Sequence, residues 1–163
     1  MTYGLRDVDG QVVEVCDQCG FDARFMPDVP VALDRAIGVL HDLQTRPQAT
    51  RRPAPEVWSA AEYGNHVVDG VNRMIDLVTT ALARSAPAPV HDLPSARAAA
   101  AGLARSLSAA DLRVPCPFDG APTDVGLLIL HLLHDTEHHV LDARQGLASL
   151  ALATSAAVYP ADA

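Results

Sequence analysis

VGLLILHLLHDTEHHVLDARQGLASLAL, running from Val125 to Leu152, holds the pattern that decides the fold class. An ideal α-helix turns by about 100° per residue, and on that wheel Val125, Ile129, Leu133, Val140, Ala143, Leu147 and Leu150 gather on one face. A stripe of this kind is buried against another element. Thr123 or Asp124 supplies an N-cap, so the spacing predicts one long helix from there to about Leu152.

Three further amphipathic segments precede it. Val29 to Leu43 starts behind the N-cap candidate Asp28, with Pro30 in the first turn and Val31, Leu33, Ile37, Val39 and Leu40 apolar. Trp58 to Arg84 repeats Tyr63, Val67, Val71, Met74, Ile75 and Val78 at helical spacing. An alanine-rich segment opens at Ser95 and ends near Ala110. The linkers QTRPQATRRPAPEV, SAPAPVHDLP and DLRVPCPFDGAPTD are rich in turn formers. The expected fold is all-α, an antiparallel four-helix bundle over residues 27–155, with a short irregular N-terminal arm at 1–26 and a tail at 156–163.

Twelve arginines and no lysine give a net charge of −8, and the arginines are scattered. That balance repels phosphate and argues against a nucleic-acid partner. The composition also fits coding bias in a GC-rich bacterial genome. The N-terminus lacks the basic-then-apolar order of a secretory signal, and the longest apolar run is interrupted by His131. The expectation is a cytoplasmic protein with no membrane partner, in which Cys16, Cys19 and Cys116 are reduced.

Four of the seven histidines fall between His131 and His139, with Asp135 and Glu137 among them. On the wheel His139 lies about 60° and Asp135 about 100° from the centre of the apolar face, whereas His134 and His138 lie about 160° away. Asp135 and His139 therefore edge the core, and His134 and His138 are expected in solvent. Both pairs have the i,i+4 spacing that lets two side chains share a ligand. A metal needs a third ligand from another helix, and His66, between Tyr63 and Val67, supplies it. Two imidazoles and one carboxylate leave coordination positions open. Against this stands the bland reading of a solvated histidine stripe.

VWSAAEYGNHVVDG, with Trp58 eight residues before His66, and HDTEHHVLDAR, with Asp135, His139 and then Asp142, together resemble the DinB-like superfamily. That group includes mycothiol-dependent maleylpyruvate isomerase and thiol S-transferases of actinobacteria and bacilli. The resemblance spans roughly Val29 to Leu150 and implies a divalent ion, zinc or nickel, held by His66, Asp135 and His139, with His134 and His138 as the alternative register. It implies Asp142 as an orienting residue, mycothiol as a co-substrate, a small thiol and an electrophile as partners, and a homodimer. An S-transferase or isomerase follows; a metal-dependent hydrolase and a non-catalytic metal-binding, sensor or interaction module are the alternatives. HDTEH is also similar to the zincin HExxH signature, but aspartate stands where that motif has its glutamate base.

Glu62 and Tyr63 are candidates to support the metal site by hydrogen bonds. Trp58 is expected to anchor the second helix in the core. Arg46, Arg51 and Arg52 fall in an exposed loop that could receive an anionic group. Cys16 and Cys19 form a Cys-x-x-Cys pair, which with Cys116 is a candidate second metal or redox site, weighed against two ordinary thiols.

Overall fold

The computed structural model describes residues 3–8, 10–25, 28–120 and 122–158. Strands β1 (Tyr3–Val8) and β2 (Gln11–Cys16) pair antiparallel, Val8 opposite Gln11 and Tyr3 opposite Cys16. Four helices follow, α1 (Val29–Gln44), α2 (Ala60–Ala81), α3 (Leu93–Ser106) and α4 (Val125–Val158). Single 3-10 turns occupy Ala23–Phe25 and Asp111–Arg113. The protein is thus mostly helical, with a small two-stranded sheet at its start. No helix among the described residues is long and apolar enough to cross a membrane.

Short polar side chains start the helices. Asp28 accepts from the Val31 N–H at 3.0 Å and Asp124 from Leu127 at 2.8 Å. Ser59 and Glu62 form a reciprocal capping box, which starts α2 at Ala60, two residues later than the periodicity suggests. Asp92 accepts from Ser95 at 2.7 Å, so α3 opens at Leu93 instead of Ser95. Each such cap is worth roughly 1 kcal/mol.

The helices pack in the cyclic order α1, α3, α2, α4, with α3 and α4 across from one another. Leu33, Ile37 and Leu40 of α1 meet Val67, Val71 and Val78 of α2 and Val125, Leu128 and Leu133 of α4, all essentially inaccessible to water. Ala96 and Ala100 of α3 are buried in the same core, and their small side chains let α1 come close.

The N-terminal segment expected to be irregular is a hairpin. Gly10, at φ +82°, makes the reversal that other residues adopt at a cost. β2 lies on α4, and Cys16 and Phe21 belong to the same buried cluster as the helices. As a result α4 is also buried on the face opposite its apolar stripe, where His134 is as inaccessible as Leu133. The expectation that His134 and His138 are solvated is overturned, since the His134 side chain is 0% and that of His138 14% exposed. A wheel treats the face away from the apolar stripe as wet; here the hairpin covers it. α4 continues through 156–158 of the expected tail, and residues 159–163 lie outside the described residues.

Candidate metal centres

α2 and α4 run side by side and bring His66, Asp135 and His139 together. His139 Nε2 is 3.3 Å from Asp135 Oδ1, and His66 Nε2 is 3.7 Å from Asp135 Oδ2. Nitrogen and oxygen ligands on one tetrahedral ion stand about 3.3 Å apart, so the spacing suits a shared cation. The donor set fits it on a second ground. Nδ1 and Nε2 of His139 are both buried and neither makes a hydrogen bond among the described residues. Burial opposes charge on Asp135, yet His139 and, at longer range, His66 and His131 hold its pKa below the usual value. Burial likewise opposes the imidazolium of His139, and Asp135 and Asp142 outweigh it and raise the pKa. The His66 side chain is 43% exposed, so this cluster opens to solvent.

The residues around it are only partly those anticipated. Asp142 Oδ2 lies 3.6 Å from His139 Nδ1, where a carboxylate orients a ligand from its far side. Tyr63 packs its ring 5.0 Å from that of His139. Glu62 faces away, its carboxylate held by Ser59 and by Arg52, which removes it from the site and occupies one of the loop arginines. Trp58 is no core anchor: it is 38% exposed and covers His66 at 5.2 Å and His139 at 6.4 Å. The capping box explains this, because it starts the helix at Ala60 and leaves Trp58 outside it.

A cleft of about 330 Å³ adjoins His66 and Asp135. Arg73, Phe118 and His131 line it, and none of the three is among the site residues that the sequence pointed to. Arg73 sits over the Phe118 ring at 4.8 Å and bonds Asp119 at 2.7 Å. These residues come from α2, the 107–124 loop and α4, so no local pattern joins them.

A second cluster occupies the opposite side of α4. Cys16, Cys19, His134 and His138 bring their ligand atoms within 4.8 Å of one another. Cys16 Sγ is 3.7 Å from His138 Nδ1. Burial would raise the Cys16 thiol, but the N–H groups of Cys19 and Gln18 and the His134 ring bring it down to about 6. Burial and the adjacent Cys16 sulfur push Cys19 up to about 11. All three cysteines are free thiols. Cys116 does not join the pair, contrary to expectation: it is buried with Sγ 3.7 Å from the Leu77 carbonyl, and burial raises its pKa. Its loop packs on α2, whereas Cys16 and Cys19 ride on the hairpin.

Between the clusters lies Glu14, fully buried on β2. Its Oε1 accepts from His134 Nδ1 at 2.6 Å and from His131 Nδ1 at 3.1 Å. Burial works against its charge, but the two histidines dominate and lower its pKa to about 2. No family model, curated protein or solved structure matches this chain. Its chemistry must therefore be read from these clusters. His66, Asp135 and His139 can offer three ligands and leave positions open beside a cleft, as catalytic sites do; the Cys and His cluster can close four ligands around an ion, as structural sites do.

Proposed function

We propose that the chain is a DinB-like four-helix bundle whose His66, Asp135 and His139 bind a divalent ion, zinc or nickel, and that it works as a thiol-dependent S-transferase or isomerase of the mycothiol type. The observation that carries this reading is a three-ligand cluster, open to solvent through His66, beside a cleft large enough for a small molecule. An ion held there would supply a Lewis acid that lowers the pKa of a coordinated thiol or water.

The chain's own groups fit the remaining tasks. Asp142 steadies His139, while Trp58 and Tyr63 wall that edge of the site against water. His131, on the cleft and held through Nδ1 by Glu14, is placed to take the thiol proton. In transfer, the sulfur forms the new carbon–sulfur bond and the displaced group leaves with that proton. Arg73 at the rim offers a cation to an acidic substrate group, in place of the loop arginines.

The test combines metal analysis with turnover. Protein purified without added metal, as wild type and as His66→Ala and His139→Ala, is assayed with a small thiol and a broad electrophile, with and without chelator. Both variants are expected to lose one metal equivalent and the reaction. A rate indifferent to chelator and to both substitutions would end the mechanism; metal retained with no turnover of any thiol would favour a non-catalytic module.

A further inference from the structure

We infer that Cys16, Cys19, His134 and His138 form a closed tetrahedral zinc site that fastens the N-terminal hairpin to α4, separate from the centre at His66, Asp135 and His139. The ligands come as Cys-x-x-Cys from the end of β2 and the turn after it and His-x-x-x-His from one face of a helix, the two spacings that Cys₂His₂ zinc sites use. Here 114 residues separate the halves, so the fold and not the local chain unites them.

The turn is shaped for the task. Gly20 takes φ +74° and donates to the Cys16 carbonyl at 3.0 Å, while Cys16 N–H donates to Phe21 at 2.9 Å. Both thiols thereby face α4. Zinc–sulfur and zinc–nitrogen bonds at a tetrahedral angle place sulfur about 3.6 Å from nitrogen; Cys16 Sγ and His138 Nδ1 are 3.7 Å apart.

The outer ring nitrogens carry the second signature. His134 donates Nδ1–H to buried Glu14, which leaves Nε2 as its ligand atom. His138 coordinates through Nδ1 and turns Nε2 to Asp142 Oδ2 at 3.7 Å. A carboxylate behind each imidazole fixes tautomer and ring plane and raises ligand basicity. Glu14, His131 and His134 are a rival trio, but the 2.6 Å contact between Glu14 and His134 is a direct hydrogen bond, shorter than the ~3.3 Å that an ion between them needs. A soft S₂N₂ set selects zinc over hard cations. The site also answers a structural need, because an isolated two-stranded hairpin is marginal in water.

Cobalt(II) loaded into the chelator-stripped full-length protein tests this, because a thiolate ligand gives a near-ultraviolet charge-transfer band that imidazole and carboxylate do not. The band is expected in wild type and in His66→Ala, and lost in Cys19→Ser and His138→Ala. Failure of the His66 centre would leave it untouched, so the two readings fail separately. Wild-type protein gives a check that needs no variant: native alkylation followed by mass measurement is expected to spare Cys16 and Cys19 with zinc bound and to modify both after chelation. No charge-transfer band in wild type, thiols equally reactive with and without zinc, or a Cys16–Cys19 disulfide in freshly isolated protein would overturn the assignment.

Discussion

α4 presents two pairs of identical spacing, Asp135 with His139 and His134 with His138, to two different worlds. His139, with Asp135 one turn before it, meets α2 at a cleft and shares an exposed partner, His66. His134 and His138, on the other side, meet thiols beneath a hairpin and have hardly any water around them. Equal spacing along one helix thus yields an open site and a closed one. What separates them is the element that each face meets. Open positions suit chemistry, and a filled, buried shell suits stability. Asp142 touches both, 3.6 Å from His139 and 3.7 Å from His138.

Removing metal should have the largest effect, and it should act through the closed side. Chelation of wild type is expected to lower the thermal midpoint by about 10 °C or more, because structural metal binding is folding free energy. His66→Ala should lower it by less than about 3 °C and stay as sensitive to chelator. If His66→Ala lost as much as stripped wild type, the division into open and closed would collapse.

Glu14→Gln comes next. It removes the charge that two histidine N–H groups share in a dry environment, at a cost of about 2 kcal/mol by urea unfolding. Zinc retention at the cysteine side should weaken while His66-dependent metal is unchanged. Loss at both sides would mean that Glu14 organises the whole helix.

Asp142→Asn is expected to weaken metal affinity about tenfold at both centres, read by competition with a coloured chelator, with little change in stability. An effect at one centre alone would show which histidine it serves.

Glu62→Gln should matter least to either site and leaves metal content unaltered. Its readout is acid stability. Hydrogen bonds from Arg52 and Ser59 lower the Glu62 pKa from 4.5 to about 2. A depressed carboxylate contributes stability that is whole above pH 4.5 and fades as pH falls through 2. The variant should therefore differ from wild type in neutral solution and converge on it in strong acid.

Much of the helical frame is written in local pattern. The stripe from Val125 to Leu150 is buried as its period requires, and Asp28 and Asp124 cap where short acceptors precede apolar turns. The same period put His66, Asp135 and His139 at a helix edge, and the fold brings them together. The hairpin had its own signal in Asp9-Gly10 between valine-bearing segments. The second buried face had one too: Leu127, Leu130 and Leu141 lie opposite the stripe, and a helix apolar on more than one side is covered on more than one side.

Periodicity and capping, both set by neighbours a few residues apart, therefore determined the four helices and the direction of each α4 side chain. Which partner each direction meets was decided by the tertiary structure alone. Cys16 and His138 stand 122 positions apart in the sequence and meet at 3.7 Å only because the hairpin folds back over α4. A helical wheel contains no term for that return, so it sends to water the two histidines that the fold buries against sulfur.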